Sequence, residues 1–122
     1  MKTIKIKTMF GFVVEIPFDG ENYYCLVCGR VWRQDSPWDL DGGMTCEYCP
    51  VCGVQYGVSD MPSEKTGQTH ADRIDEIRIA WLDRTGWMDS DVERVEKILG
   101  LDADQLRAMQ SRVKKGDGRS GH

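Results

Sequence analysis

Two short elements, Cys25-Leu26-Val27-Cys28-Gly29 and Cys49-Pro50-Val51-Cys52-Gly53, constrain this chain more than anything else in it. Each places two thiols three positions apart and follows them with glycine. The cysteines number five, at 25, 28, 46, 49 and 52. Pairing Cys25/Cys28 with Cys49/Cys52 leaves twenty residues between the pairs, and pairing with Cys46/Cys49 leaves seventeen. Both sets fit the Cys-x2-Cys, about 15–20 residues, Cys-x2-Cys pattern of a metal site. Backbone chemistry separates them. A thiolate knuckle turns the chain so that backbone N–H groups face sulfur, and glycine after the second cysteine takes positive φ without Cβ strain. Gly29 follows Cys28 and Gly53 follows Cys52, whereas the rival pair ends at Cys49-Pro50. Proline has no N–H and cannot adopt positive φ. The expected metal ligands are therefore Cys25, Cys28, Cys49 and Cys52. Cys46 is left as a bystander, or as a substitute if a ligand is lost. A thioredoxin-like role would need one motif at a strand–helix junction within a βαβ pattern, which the chain lacks.

With 122 residues there is room for one domain or two small units. Sixteen basic against twenty acidic residues give a formal charge of −4. That disfavours nucleic acid as a partner, because phosphate binding needs a basic face. No apolar run approaches the ~20 residues of a membrane-spanning helix. Lys2, Lys5 and Lys7 ahead of Met9–Val14 imitate a signal peptide, but Glu15 ends the apolar stretch and no small-residue cleavage site follows. The expected location is cytoplasmic, where thiols stay reduced and clustered cysteines indicate metal rather than disulfides.

Along the chain, residues 2–18 alternate with period two around Gly11, which predicts a β-hairpin, with Pro17 at a strand end or edge. Residues 23–60 hold every cysteine, lack helical periodicity and read as a loop-rich, metal-stapled unit, making 1–60 one region. A polar linker, 61–68, follows. Thr69 should cap a helix that buries Ile74, Ile77 and Trp81, with Arg73, Glu76, Arg78 and Asp83 on its other faces and Gly86 at its end. Ser90 with Glu93 reads as a capping box for a second helix through Val92, Val95, Ile98 and Leu99. Gly100 ends that helix. Asp102 with Gln105 repeats the device before Leu106, Met109 and Val113. The helical region is thus 69–115, and 116–122 reads as a disordered tail. The fold class is α+β: a hairpin and metal ribbon, then two to three helices.

Four thiolates in a tetrahedron accept Zn2+ or iron. Zinc makes a closed structural site, and iron in the same cage transfers one electron. Structural zinc contributes ~10–16 kcal/mol in small fingers, so the metal should be obligatory for residues 23–60.

Tyr23 to Trp32 around the first pair, and Cys49 to Gly57 around the second, resemble the two knuckles of rubredoxin and rubredoxin-like zinc ribbons. The loop between them is shorter than in a typical rubredoxin. Glu47 and Tyr48 stand where a tryptophan usually precedes the second knuckle, which weakens the electron-transfer implication. Across residues 23–88 the chain also resembles small bacterial cysteine-rich proteins of the CPCC type. The matching residues are Pro37-Trp38, Cys49 to Gly53, Tyr56-Gly57, Arg78, Trp81, Gly86 and Trp87. That resemblance implies a metal-binding ribbon with a packed helix, and nothing about catalysis.

Trp32, Trp38, Trp81 and Trp87 should mainly pack the ribbon against the first helix. The sharper alternative puts Trp38 and Trp87 on a partner-binding surface. Arg112, Lys114 and Lys115 lie in a basic stretch that suits a helix C-terminus and could also contact a partner. His70 and His122 read as exposed, and no hydrolytic constellation can be assembled around them or Cys46. The expectation is a non-catalytic, zinc-binding protein acting as a protein-interaction or adaptor module, of regulatory, immunity or phage origin. The alternatives are a rubredoxin-type Fe(Cys)4 electron carrier and a nucleic-acid-binding ribbon.

Overall fold

The period-two alternation of the N-terminus becomes an antiparallel hairpin, β1 (Lys2–Lys7) and β2 (Val13–Phe18). The structure is a computed structural model that describes residues 1–33 and 35–120. Register pairs Ile4 with Ile16 and Ile6 with Val14, so one face carries Ile6, Val14 and Ile16 into the core. Lys5 and Glu15 pair on the opposite, exposed face at 3.5 Å. Gly11 takes φ +95° in the turn, and Pro17 sits one residue before β2 ends. Two short strands, β3 (Tyr23–Tyr24) and β4 (Val31–Arg33), extend the sheet in the order β1-β2-β3-β4, all antiparallel.

Three helices follow: α1 (His70–Thr85), α2 (Asp89–Leu99) and α3 (Ala103–Ser120). The fold is α+β. Thr69 caps α1, its side chain accepting from the Asp72 N–H while Asp72 accepts from the Thr69 N–H, and Gly86 ends the helix at φ +79°. Asp102 and Gln105 exchange the same pair of bonds at 2.9 Å each ahead of α3. The capping box expected at Ser90 and Glu93 does not form. The turn after Gly86 is so tight, with the Trp87 N–H on the Leu82 carbonyl at 2.8 Å, that the chain is helical again by Asp89. Met88 is the cap residue and Ser90 lies inside the first turn, where Asp89 and Asp91 complement the helix dipole. The backbone of 116–120, expected as tail, continues α3; residues 121 and 122 lie outside the described residues.

α1 faces the sheet and ribbon with Ile74, Ile79, Trp81 and Leu82, while Ile77 is only partly buried. Val95 of α2 and Leu106 and Met109 of α3 complete the core. Two residues expected on the surface are buried. Arg78 is 5% exposed and His70 2%. For His70 the cause is Asp60, whose carboxylate is fully buried and gathers three donors. It accepts from Trp38 Nε1 at 2.9 Å and His70 Nε2 at 2.7 Å on Oδ2, and from the Gly57 N–H at 2.6 Å on Oδ1. Phe12 stacks on the His70 ring with centroids 5.4 Å apart. This corner ties together the hairpin turn, the loop between the knuckles, the end of the ribbon and the start of α1.

Candidate metal centre

Each Cys-x-x-Cys-Gly element folds by the same local bonds. In the first, the Cys25 N–H donates to the Arg30 carbonyl at 2.8 Å and the Gly29 N–H to the Cys25 carbonyl at 3.0 Å. In the second, the Cys49 N–H donates to Val54 at 2.9 Å and the Gly53 N–H to Cys49 at 2.8 Å. The glycines take φ +78° and +81°, the left-handed conformation that a side chain at those positions would strain. β3 and β4 are the arms of the first knuckle. Tyr48 and Gln55, bridged antiparallel, are the arms of the second.

The two knuckles face one another. Cys25 and Cys52 sulfurs lie 3.7 Å apart, Cys28 and Cys49 sulfurs 3.6 Å apart, and all four lie within 4.8 Å of one another. A tetrahedron with metal–sulfur bonds of about 2.3 Å has edges of about 3.8 Å. The cage therefore fits a tetrahedral ion, and its all-sulfur donor set suits Zn2+ or iron alike. All four cysteines are 3% exposed or less, which leaves no side of the cage open to a substrate. Hydrogen bonding with Cys25 and then Cys49 holds the Cys28 thiol above the ordinary range, bonding with Cys25, Cys28 and Cys49 does the same for Cys52, and bonding with the other three sulfurs lowers Cys49. Four thiolates so close together need a cation to coexist.

Tyr56 completes the inner surroundings. Its buried hydroxyl accepts from the Leu26 N–H at 3.0 Å and lies 2.9 Å from Cys25 Sγ, to which it donates when that sulfur is a thiolate. Burial raises the phenol well above its usual range, so it remains a neutral donor. Tyr56→Phe preserves the ring and strands the Leu26 N–H. A loss of about 1–3 kcal/mol is expected in urea unfolding of the metal-loaded protein.

Three arginines reach the knuckles from the helices. Arg78 donates to the carbonyls of Val27 (2.9 Å) and Leu26 (2.5 Å), Arg94 to Cys28 (2.9 Å) and Arg84 to Cys52 (3.1 Å). Arg78 leaves the surface for this reason: its guanidinium exchanges water for two carbonyls and the Asp75 carboxylate, 2.9 Å away. A signal for it exists in the sequence. Arg78 is four residues from both Ile74 and Leu82, on the stripe that faces the core.

Cys46 lies apart from the cluster, exposed and at φ +61°. Cys46→Ser should change stability by no more than about 0.5 kcal/mol and leave metal content unaltered, as measured by urea midpoint and elemental analysis. Trp38 is fully buried against Asp60, so its ring offers nothing to a partner. Trp87 is half-buried, with its N–H on Asp83 at 2.8 Å and the Arg107 guanidinium 3.7 Å above the ring. Arg112 pairs with Asp75 (3.1 Å) and Lys114 with Asp83 (3.4 Å), binding α3 to α1 through exposed contacts of small worth. The Lys115 side chain lies outside the described residues.

Comparison with protein families, curated proteins and solved structures gives no match to this chain. The resemblance to rubredoxins and CPCC-type proteins thus rests on sequence alone: the knuckle residues and their spacing and, for the CPCC type, Pro37-Trp38, Tyr56-Gly57, Arg78, Trp81, Gly86 and Trp87. Among the described residues no helix is long and apolar enough to cross a membrane.

Proposed function

We propose that the chain is a structural-zinc protein of rubredoxin-like ribbon type, in which Cys25, Cys28, Cys49 and Cys52 bind one Zn2+ and the metallated ribbon is the rigid part of a non-catalytic protein-interaction module. The observation that carries the metal reading is the burial of four sulfurs at tetrahedral spacing. Zinc is favoured over an iron electron carrier because Glu47 and Tyr48 stand where a rubredoxin's tryptophan usually precedes the second knuckle. Leu40, Met44 and Tyr48 project from the ribbon at 41–66% exposure and are where a protein partner would be sought first.

Elemental analysis of the natively purified protein tests the metal. One zinc per chain in a colourless protein is the expected result. Visible ferric–thiolate absorption with stoichiometric iron would overturn zinc in favour of the carrier, and neither metal would overturn both.

A further inference from the structure

We infer that Arg78 and Arg94, with Arg84 in support, are positioning residues of the metal centre, and that through them metal binding and helix docking strengthen each other. The inference rests on the metal reading above and adds a second half to the site, carried by the helices.

The same device occurs twice. On α1, Asp75 holds Arg78 from three residues earlier at 2.9 Å, and Arg78 takes the Leu26 and Val27 carbonyls. On α2, Asp91 holds Arg94 from three residues earlier at 2.9 Å, and Arg94 takes the Cys28 carbonyl. Arg94 also lies over the Trp81 ring, 5.8 Å from its centroid, which restricts it further. Two helices thus grip three consecutive peptide oxygens of one knuckle. A peptide unit is planar, so holding its oxygen fixes the plane and the direction of the Cα–Cβ bonds beside it. Cys28 lies between two of these held units, Val27–Cys28 and Cys28–Gly29, so its sulfur is the one they aim, and the Leu26 contact holds the turn that joins it to Cys25. Arg84 holds the Cys52 carbonyl at 3.1 Å in the second knuckle.

Packing agrees with the hydrogen bonds. A Cβ at Gly29 would stand 3.1 Å from Ile98 Cβ and 3.4 Å from the Arg94 carbonyl oxygen, so α2 sits directly on the turn that closes the first knuckle. Charge adds less. Four thiolates around a divalent ion leave net negative charge, but Asp75 and Asp91 balance Arg78 and Arg94, so the offset falls mainly to Arg84 on the Cys52 carbonyl. The knuckle shape that presents these carbonyls is also the shape the metal enforces. Binding at either place therefore favours the other, by the same factor in both directions.

The test uses the full chain, with Zn2+ affinity measured by competition against a chromophoric chelator and Co2+ spectra reporting the ligand set. Groups that orient metal ligands typically contribute roughly 10–100-fold to affinity. Arg94→Gln and Arg78→Gln should each weaken Zn2+ by about that factor, with the tetrahedral four-sulfur Co2+ spectrum retained. Arg94→Lys, which keeps the charge and loses the fork, should recover only part. Arg107→Gln, remote from both knuckles, should have no effect. Amide exchange in α1 and α2 should slow on metal loading in the parent, and slow less in Arg94→Gln. Arg94 is partly exposed, so this variant can be tested even where Arg78→Gln fails to fold. Unchanged Zn2+ affinity in a folded Arg94→Gln would overturn the coupling and leave the metal reading standing. A parent that binds neither ion through sulfur would overturn both.

Discussion

With the four cysteines holding zinc as proposed, treating this protein with a chelator is expected to unfold residues 23–60 and, with them, the seat of α1 and α2. Zinc at a four-thiolate site contributes ~10–16 kcal/mol in small domains. Whole native proteins are stable by only about 5–15 kcal/mol. The ribbon has little to set against that loss. Its buried apolar side chains apart from the cysteines are Tyr23, Leu26, Val27, Trp32, Trp38, Val54 and Tyr56. Seven such side chains make a thin core for a loop-rich segment of this length, the situation in which small domains rely on a metal. The two knuckles are loops whose local bonds close only single turns. Cys25→Ser and Cys52→Ser should reproduce the effect, since each removes one sulfur from the cage. Amide exchange is the measurement: protection at the Cys25 and Cys49 N–H groups, bonded to Arg30 and Val54, should vanish without metal. Retention of that protection in chelated protein would show that the ribbon stands without an ion.

Replacing Asp60 with alanine should be nearly as damaging, although the residue is remote from the cysteine chemistry. Three buried donors, Trp38 Nε1, His70 Nε2 and the Gly57 N–H, converge on its carboxylate. Each left unpaired costs about 1–3 kcal/mol. Three such losses together reach several kcal/mol and approach the whole stability of a small domain. Asp60→Asn should be milder. Its amide oxygen can serve the Trp38 and His70 side or the Gly57 side, and its NH2 then meets a donor on the other. The order wild type, Asn, Ala in urea midpoint checks the assignment. An Asp60→Ala protein as stable as the parent would show that the corner is held by packing alone.

The contrast between these two sites shows what could be read from the chain before folding. The cysteine cluster was legible because its logic is local: a Cys-x-x-Cys turn followed by glycine is written in five adjacent residues. Gly53 against Pro50 is enough to leave Cys46 outside the four sulfurs that converge. The hairpin, the Thr69 and Asp102 caps and the Gly86 and Gly100 stops were legible for the same reason, since period, capping and positive φ act within a few residues. The Ser90 capping box failed because a tight turn upstream had already restarted the helix.

Other contacts span the chain. Arg78 meets the first knuckle across 51 and 52 residues, and Arg94 across 66. Trp38 meets Asp60 across 22. Arg94 on its helix and Asp60 after a loop are, by themselves, indistinguishable from solvated charges, and Arg78 carries only the hint of its place on the apolar stripe of α1. Burial alone turns them into partners, and burial is a property of the packed molecule.

The sequence by itself therefore determined the α+β order of elements and the four cysteines whose sulfurs converge, through local conformational preference. Only the tertiary structure decided which polar groups lie inside: Tyr56 beside Cys25, the arginines on the knuckle carbonyls, and Asp60 beneath Trp38 and His70. The physical reason is that a polar group is driven inward only where a complementary partner meets it out of water. That meeting depends on distance in space, which the order of residues does not set.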